Sequence, residues 1–321
     1  MTFYVCCPAG FESGGPEALH QLDHALRRAG HESYLSYFPF GDAHEVPRAY
    51  RHYGSVPRRP VDSAQSVIVV PETMTTLLGR FPAARGAVWW LSVDGYAGAR
   101  HRLWLEDVTL FAWRRLSGAS LPFGRLRPYT HAAQSEFARQ YLRRHRLCAV
   151  MLSDYIADEL LPPPPQDARR ASTILYNPRK GFSITKRLMS ACPEYRFAPL
   201  AGLSRGELRE RFGQSMVYID FGHHPGKDRI PREAALGGCI VITNRRGSAG
   251  AANDVPIMDK YKIDDRHPGF VSQFKRLVHG VVTGYAAAAR DFDGFVGGIR
   301  AQKTTFLAEA AAFAEKLTAE R

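Results

Sequence analysis

The sequence predicts an α/β protein of two Rossmann-like domains whose parallel sheets face a central cleft. Three observations predict it. The chain has 321 residues, about twice the usual domain length. Short apolar runs alternate with loops and helical patterns in both halves, and four prolines, Pro162 to Pro165, separate the halves. Apolar runs of this kind read as strands buried on both faces, and their alternation with helices favours parallel sheets. Ligands of such sheets bind outside the carboxyl ends of the strands.

Phe3 to Cys7 is the first strand, Gly10 to Gly15 a loop, and Ala18, Leu19, Leu22, Ala25, Leu26 and Ala29 recur at helical spacing. Pro16 suits the first helical position and Glu17 complements the dipole of the first turn, so the helix is predicted to start beside Gly14-Gly15. A further strand completes a βαβ unit. Ser66 to Val70, Ala87 to Leu91 and Leu147 to Leu152 follow as buried strands. The proline run and the polar Gln166 to Arg170 cannot continue a helix or central strand, so the domains are predicted as 1–165 and 166–300.

The second half restarts with a strand over Thr173 to Tyr176, a loop over Asn177 to Gly181 and a helix over Ser183 to Cys192. Ser204-Arg205-Gly206-Glu207 has the capping-box pattern of another helix start. Met216 to Asp220 and Cys239 to Thr243 are strands on either side of a loop and helix within Phe221 to Gly238. In the last segment, 301–321, an amphipathic helix over Phe306 to Leu317 is expected to pack back on the first domain.

The 45% hydrophobic and 11% aromatic content is that of a globular protein, and no stretch approaches the roughly 18 apolar residues that cross a bilayer. The start, Met1 to Pro8, lacks the basic residues and long apolar run of a secretory signal, so a cytoplasmic location is expected. Five scattered cysteines suit a reducing compartment, and Cys6-Cys7 has no partner pair at zinc spacing. No metal or other cofactor is expected.

The net charge of +12 calls for an anionic partner. Ten arginines fall between Arg100 and Arg146, interleaved with Trp104, Phe111, Trp113, Leu116, Leu121 and Phe123. That pattern suits peripheral association with the anionic inner face of a membrane, or a basic solvated face beside a core helix. No nucleic-acid module accompanies it, so nucleic acid is not an expected partner.

Charge is densest from Tyr218 to Ala235, at the end of a predicted strand. A loop there, followed by a helix with Pro231 in its first turn, offers free backbone N–H groups, and Lys227, Arg229 and Arg232 add positive charge. The site suits a diphosphate; a solvated ion network is the plainer alternative. Adjacent histidines point in different directions, so one of His223 and His224 is expected at the ligand, and His223 is assigned there with Asp228. Arg179 and Lys180 lie at another carboxyl end, where they would neutralise leaving phosphates or form a surface turn. Gly14 and Gly15 would let a ligand approach the backbone, or simply make a turn. Asp94 ends the run Trp89 to Asp94 and is placed to act as general base or to cap the next segment.

In layout the whole chain resembles the GT-B class of glycosyltransferases, in particular the retaining enzymes that build bacterial polysaccharides and glycolipids. Ser13-Gly14-Gly15-Pro16-Glu17 resembles the family's first glycine-rich loop, and Arg179-Lys180-Gly181 resembles its diphosphate-contacting segment. Arg232-Glu233-Ala234-Ala235 to Ile242 resembles the stretch running from the family's second glutamate into the next strand. The resemblance implies that Glu233 binds the nucleotide ribose. It also implies transfer of a hexosyl group from a nucleotide-sugar donor to a polysaccharide, glycolipid or lipid-linked acceptor in cell-surface glycan synthesis, lipopolysaccharide included.

The family's earlier glutamate falls at Pro225 here, with Asp220 and Asp228 the neighbouring carboxylates. No Asp-x-Asp strand end of the kind that holds a donor-bound metal is present, so charge neutralisation falls to arginine and lysine. Asp94, Lys227 and Arg232 are the expected catalytic residues. The alternative is a non-catalytic scaffold of the same fold that binds a nucleotide or glycan, which Pro225 favours.

Overall fold

The computed structural model describes residues 1–10, 12–41, 44–97, 120–157 and 170–319. The proline run and the 98–119 part of the basic stretch lie outside the described residues. The chain divides into two compact units, Met1–Tyr155 with Lys303–Arg321, and Ile156–Gln302. The division falls ahead of the proline run because Tyr155 is buried in the core of the first unit and Ile156 in that of the second.

The first unit carries six parallel strands in the order β2-β1-β3-β4-β5-β6. They are β1 (Thr2–Pro8), β2 (Glu32–Phe38), β3 (Ser66–Pro71), β4 (Arg85–Trp90), β5 (Thr130–Ala133) and β6 (Ala149–Met151). Successive strand residues point to opposite faces. Phe3, Val5, Cys7, Val67, Val69 and Trp89 therefore enter one core layer, and Tyr4, Cys6, Ile68, Val70, Val88 and Trp90 the other. Cys6 and Cys7 thus face away from each other, and burial pushes both thiols up, Cys6 to about 12. Among the described residues all five cysteines are free.

The first helix runs over Gly14–Arg28, two residues earlier than Pro16 suggests. Pro16 is its third residue, where the missing N–H still has no intrahelical partner to lose. Ala18, Leu19, Leu22, Ala25 and Leu26 of this helix join the Phe3 layer. So does the C-terminal helix, which spans Asp293–Ala319 and contributes Phe306, Ala310, Phe313 and Leu317. Phe306 stacks on Trp89 at 6.1 Å, and Arg85 donates to the carbonyls of Leu317 and Thr318 at 2.7 and 3.0 Å, satisfying the helix end. Among the described residues no helix is long and apolar enough to cross a membrane.

The second unit carries a four-stranded parallel sheet in the order β10-β9-β7-β8. Its strands are β7 (Ala171–Tyr176), β8 (Phe197–Pro199), β9 (Ser215–Asp220) and β10 (Ile240–Thr243). The chain adds β8 on one side of β7 and then returns to add β9 on the other, so the topological switch point falls between β7 and β9. Helices over Phe182–Ala191, Arg205–Gln214 and Arg229–Leu236 join the strands. The second of these starts with the capping box read at Ser204 and Glu207, and the third has Pro231 in its first turn.

Candidate functional site

The switch point sets the loop after β7 beside the loop after β9. Arg179 N donates to Asn177 Oδ1 at 3.0 Å, turning the first loop, and Gly181 follows in the left-handed region at φ 59°. A Cβ on Gly181 would lie 2.5 Å from the Phe221 backbone, and one on Gly222 would lie 2.6 Å from Lys180 Cβ. Glycine at both positions lets the loops touch. Lys180 Nζ then reaches Asp228 Oδ2 at 2.6 Å. The loop after β10 closes on the same segment: Asn244 Nδ2 donates to Gly222 O and Ser248 N to His224 O, each at 2.8 Å.

Inside the second loop Asp220, His224 and Asp228 recur every four residues. Asp220 accepts from Gly222 N with one oxygen and from the Tyr218 hydroxyl with the other, both at 3.0 Å. His224 Nε2 lies 3.5 Å from Asp220 Oδ1, and its Nδ1 lies 2.7 Å from Asp228 Oδ2. Burial pulls the imidazole pKa down, but the charges of Asp220 and Asp228 and the contact with Asp228 outweigh it and raise the pKa. Burial likewise pushes Asp228 up, and His224 and Lys180 outweigh it, holding that carboxyl at about 2.

The three side chains bring one ligand atom each within 4.8 Å of one another, a geometry that could hold a metal ion. A search for paired aspartates at a strand end misses this group; its signal is the spacing of four. In the structure the Asp228 oxygen is already approached by the Lys180 ammonium and the His224 imidazole.

Arg232 is only 2% exposed and turns inward. Its Nε donates to Asp228 O at 3.2 Å, Nη2 to Lys227 O at 2.9 Å and Nη1 to Gln302 Oε1 at 2.8 Å, so it braces the loop from behind. The reason is periodicity: Arg232 shares the buried side of its helix with Ala235 and Leu236. Arg229 pairs with Glu233 at 3.0 Å, one helical turn away. Lys227 and His223 are half-buried and Arg179 is exposed, whereas His224, the histidine not assigned to the ligand, is fully buried.

Gly14, Gly15 and Asp94 belong to the first unit. A Cβ on Gly15 would meet Leu91 Cδ1 at 3.8 Å, an ordinary contact, so packing does not demand glycine there. Asp94 lies in the first turn of a short helix, Val93–Ala97, just beyond β4. One side chain at the second-unit site escaped the sequence reading. Phe182, next to Gly181, is 47% exposed, and its ring stacks on Tyr176 at 6.2 Å. Its signal was an aromatic residue directly after a basic, glycine-ended loop.

No protein-family model and no curated protein sequence matches the chain. Solved structures match it over its full length. A glycosyltransferase from Rickettsia africae superposes with TM-score 0.64 at 10% identity, over 100% of this chain and 99% of its own. A sucrose-phosphate synthase from Thermosynechococcus elongatus gives 0.65 at 13%, over 99% and 100%. The E. coli trehalose-6-phosphate synthase bound with UDP-2-fluoro glucose gives 0.62 at 9%, over 100% of both chains. At such identities the likeness establishes the fold: two Rossmann-like domains of the GT-B type.

Proposed function

We propose that the protein is a glycosyltransferase that moves a sugar from a nucleotide-diphosphate donor to a hydroxyl of a polysaccharide, glycolipid or lipid-linked acceptor in bacterial cell-surface glycan synthesis. The observation that carries this reading is the junction of two basic loops at the switch point of the second unit, joined through Lys180 and Asp228. The E. coli neighbour, bound with a UDP-sugar, supports a donor of that class.

In this reading Arg179, Lys180 and Lys227, with His223, face the donor diphosphate. They neutralise charge as the bond from the sugar to phosphate breaks, in the place of a metal. Glu233, oriented by Arg229, takes the ribose, and the exposed Phe182 ring stacks under the base. Arg232 positions the loop. Gly14 and Gly15 admit substrate to the first unit, and Asp94 accepts the proton of the attacking acceptor hydroxyl. Arg125, Arg127, Arg143, Arg144 and Arg146, all exposed, would hold the enzyme at an anionic membrane face.

The test is release of nucleoside diphosphate from UDP-, GDP- or dTDP-sugars, or of CMP from CMP-sugars, in the presence of membrane and glycan acceptors. Turnover that Lys227→Ala abolishes supports the reading; release unchanged by that substitution removes it. A second reading, a scaffold that binds donor without turnover, is favoured by one observation. Pro225 stands where the resembled family has a glutamate, and both oxygens of Asp220 are already hydrogen-bonded within the loop. Donor binding with no release over the same panel selects it.

A further inference from the structure

Directly after the apolar strand β10 the sequence Asn244-Arg245-Arg246-Gly247-Ser248 is polar and carries one glycine. Asn244 Oδ1 accepts from Arg246 N at 2.9 Å, which turns the chain. Gly247 follows in the left-handed region at φ 63°, and a Cβ there would collide with the backbone of His224. Glycine at this position lets the loop after β10 close on the loop after β9.

The closure takes up carbonyls in succession. Phe221 O accepts from Arg246 Nη2, Gly222 O from Asn244 Nδ2, His224 O from Ser248 N and Gly226 O from Ser248 Oγ. Asp265, 2.6 Å from Arg246 Nη2, fixes that guanidinium. Arg232 takes the next two, Lys227 O and Asp228 O. Six of the eight carbonyls from Phe221 to Asp228 are thus committed to arginine, asparagine and serine donors outside the loop.

A backbone loop attracts an anion through its N–H groups and repels it through its carbonyl oxygens, so the direction in which the carbonyls point decides whether phosphate is tolerated. We propose that Asn244 and Ser248 are positioning residues for the donor diphosphate: they turn the carbonyls of Gly222, His224 and Gly226 inward, so that these oxygens do not oppose the phosphates. Both residues are fully buried, which means that they act through the loop and do not touch the donor themselves. The inference rests on the donor-site reading and adds to it the loop of a strand, β10, that carries none of the donor contacts proposed above.

The test is the affinity gained by adding the diphosphate, measured by calorimetric titration of the full chain with UDP, GDP and dTDP and, in competition with them, with uridine, guanosine and thymidine. The wild type binds one diphosphate more tightly than its nucleoside. Asn244→Ala, which releases Gly222 O, lowers that gain by about tenfold or more, a difference of about 1.4 kcal/mol, and leaves the affinity for the nucleoside unchanged. Ser248→Ala leaves Gly226 O with the Asp228 amide alone and lowers the gain in the same direction. Arg245→Ala, in the same loop but paired with Asp259 at 2.7 Å, leaves the gain as it is. A purely structural brace would lower the melting temperature of the Asn244 and Ser248 variants and keep the ratio of diphosphate to nucleoside affinity. That result, or an equal loss of the gain in Arg245→Ala, overturns the inference and leaves the donor site standing. A wild type that binds none of the three diphosphates overturns the donor-site reading and this inference with it.

Discussion

The Lys180 ammonium lies 2.6 Å from the carboxylate of Asp228, 48 residues further along the chain, and ties the loop after β7 to the loop after β9. Both side chains are less than one-third exposed, at 28% and 23%, so the pair is only partly screened by water. Lys180→Met leaves the carboxylate with His224 alone and is expected to cost about 2 kcal/mol in urea unfolding. In the proposed donor site it also weakens nucleoside diphosphate binding by about tenfold or more, measured by calorimetry.

The same cluster sets a pH window. The folded pKa of His224 lies above its ordinary 6.5, so its stabilisation is complete below about 6.5 and is lost as pH rises through the raised value. The folded pKa of Asp228 is about 2, below its ordinary 3.8, so its stabilisation is present above about 3.8 and is lost as pH falls toward 2. The stability gap between wild type and His224→Gln is therefore widest between about pH 4 and 6.5 and narrows above it. Urea midpoints measured from pH 4 to 9 check this; a gap that widens toward pH 9 contradicts it.

Gly181 and Gly202 separate strain from collision. Both have positive φ, 59° and 67°, but a Cβ would press on the Phe221 backbone at Gly181 and meet nothing within 4 Å at Gly202. Gly202→Ala is expected to cost about 1 kcal/mol for the left-handed backbone alone. Gly181→Ala costs about 1–2 kcal/mol more, because the two loops must part. Paired denaturant unfolding measures the difference.

Arg232 is expected to behave as a brace. Arg232→Met strands the carbonyls of Lys227 and Asp228 and the amide of Gln302, costing about 2–3 kcal/mol in thermal or urea unfolding. If Arg232 instead contacted the donor directly, its removal would weaken donor binding while leaving stability nearly unchanged.

The sequence carried the fold wherever burial left a continuous apolar run. Ser66–Pro71 and Ser215–Asp220 are lined on both faces and were legible for that reason. Phe197–Pro199 and Thr130–Ala133 are three and four residues long, too short for any period to show, and β2, which interleaves serine and tyrosine, could not be bounded. At the site, the basic loops were legible because charge at a strand end is conspicuous. Which charges turn inward was not: the burial of Arg232 and His224 depends on helix phase and on the neighbouring β10 loop, and composition carries neither. The adjacency of Lys180 and Asp228 comes from strand order, which local sequence does not encode.

The most direct test of the central claim, a nucleotide-sugar site at the switch point of the second unit, is the thermal stability of the purified protein against UDP-, GDP-, CMP- and dTDP-sugars without added metal. A donor at about 100 times its dissociation constant stabilises the fold by roughly 2.7 kcal/mol. A selective shift with one nucleotide, removed by Lys227→Ala, is the expected result. No shift with any of the four, or one that survives Lys227→Ala undiminished, would contradict it.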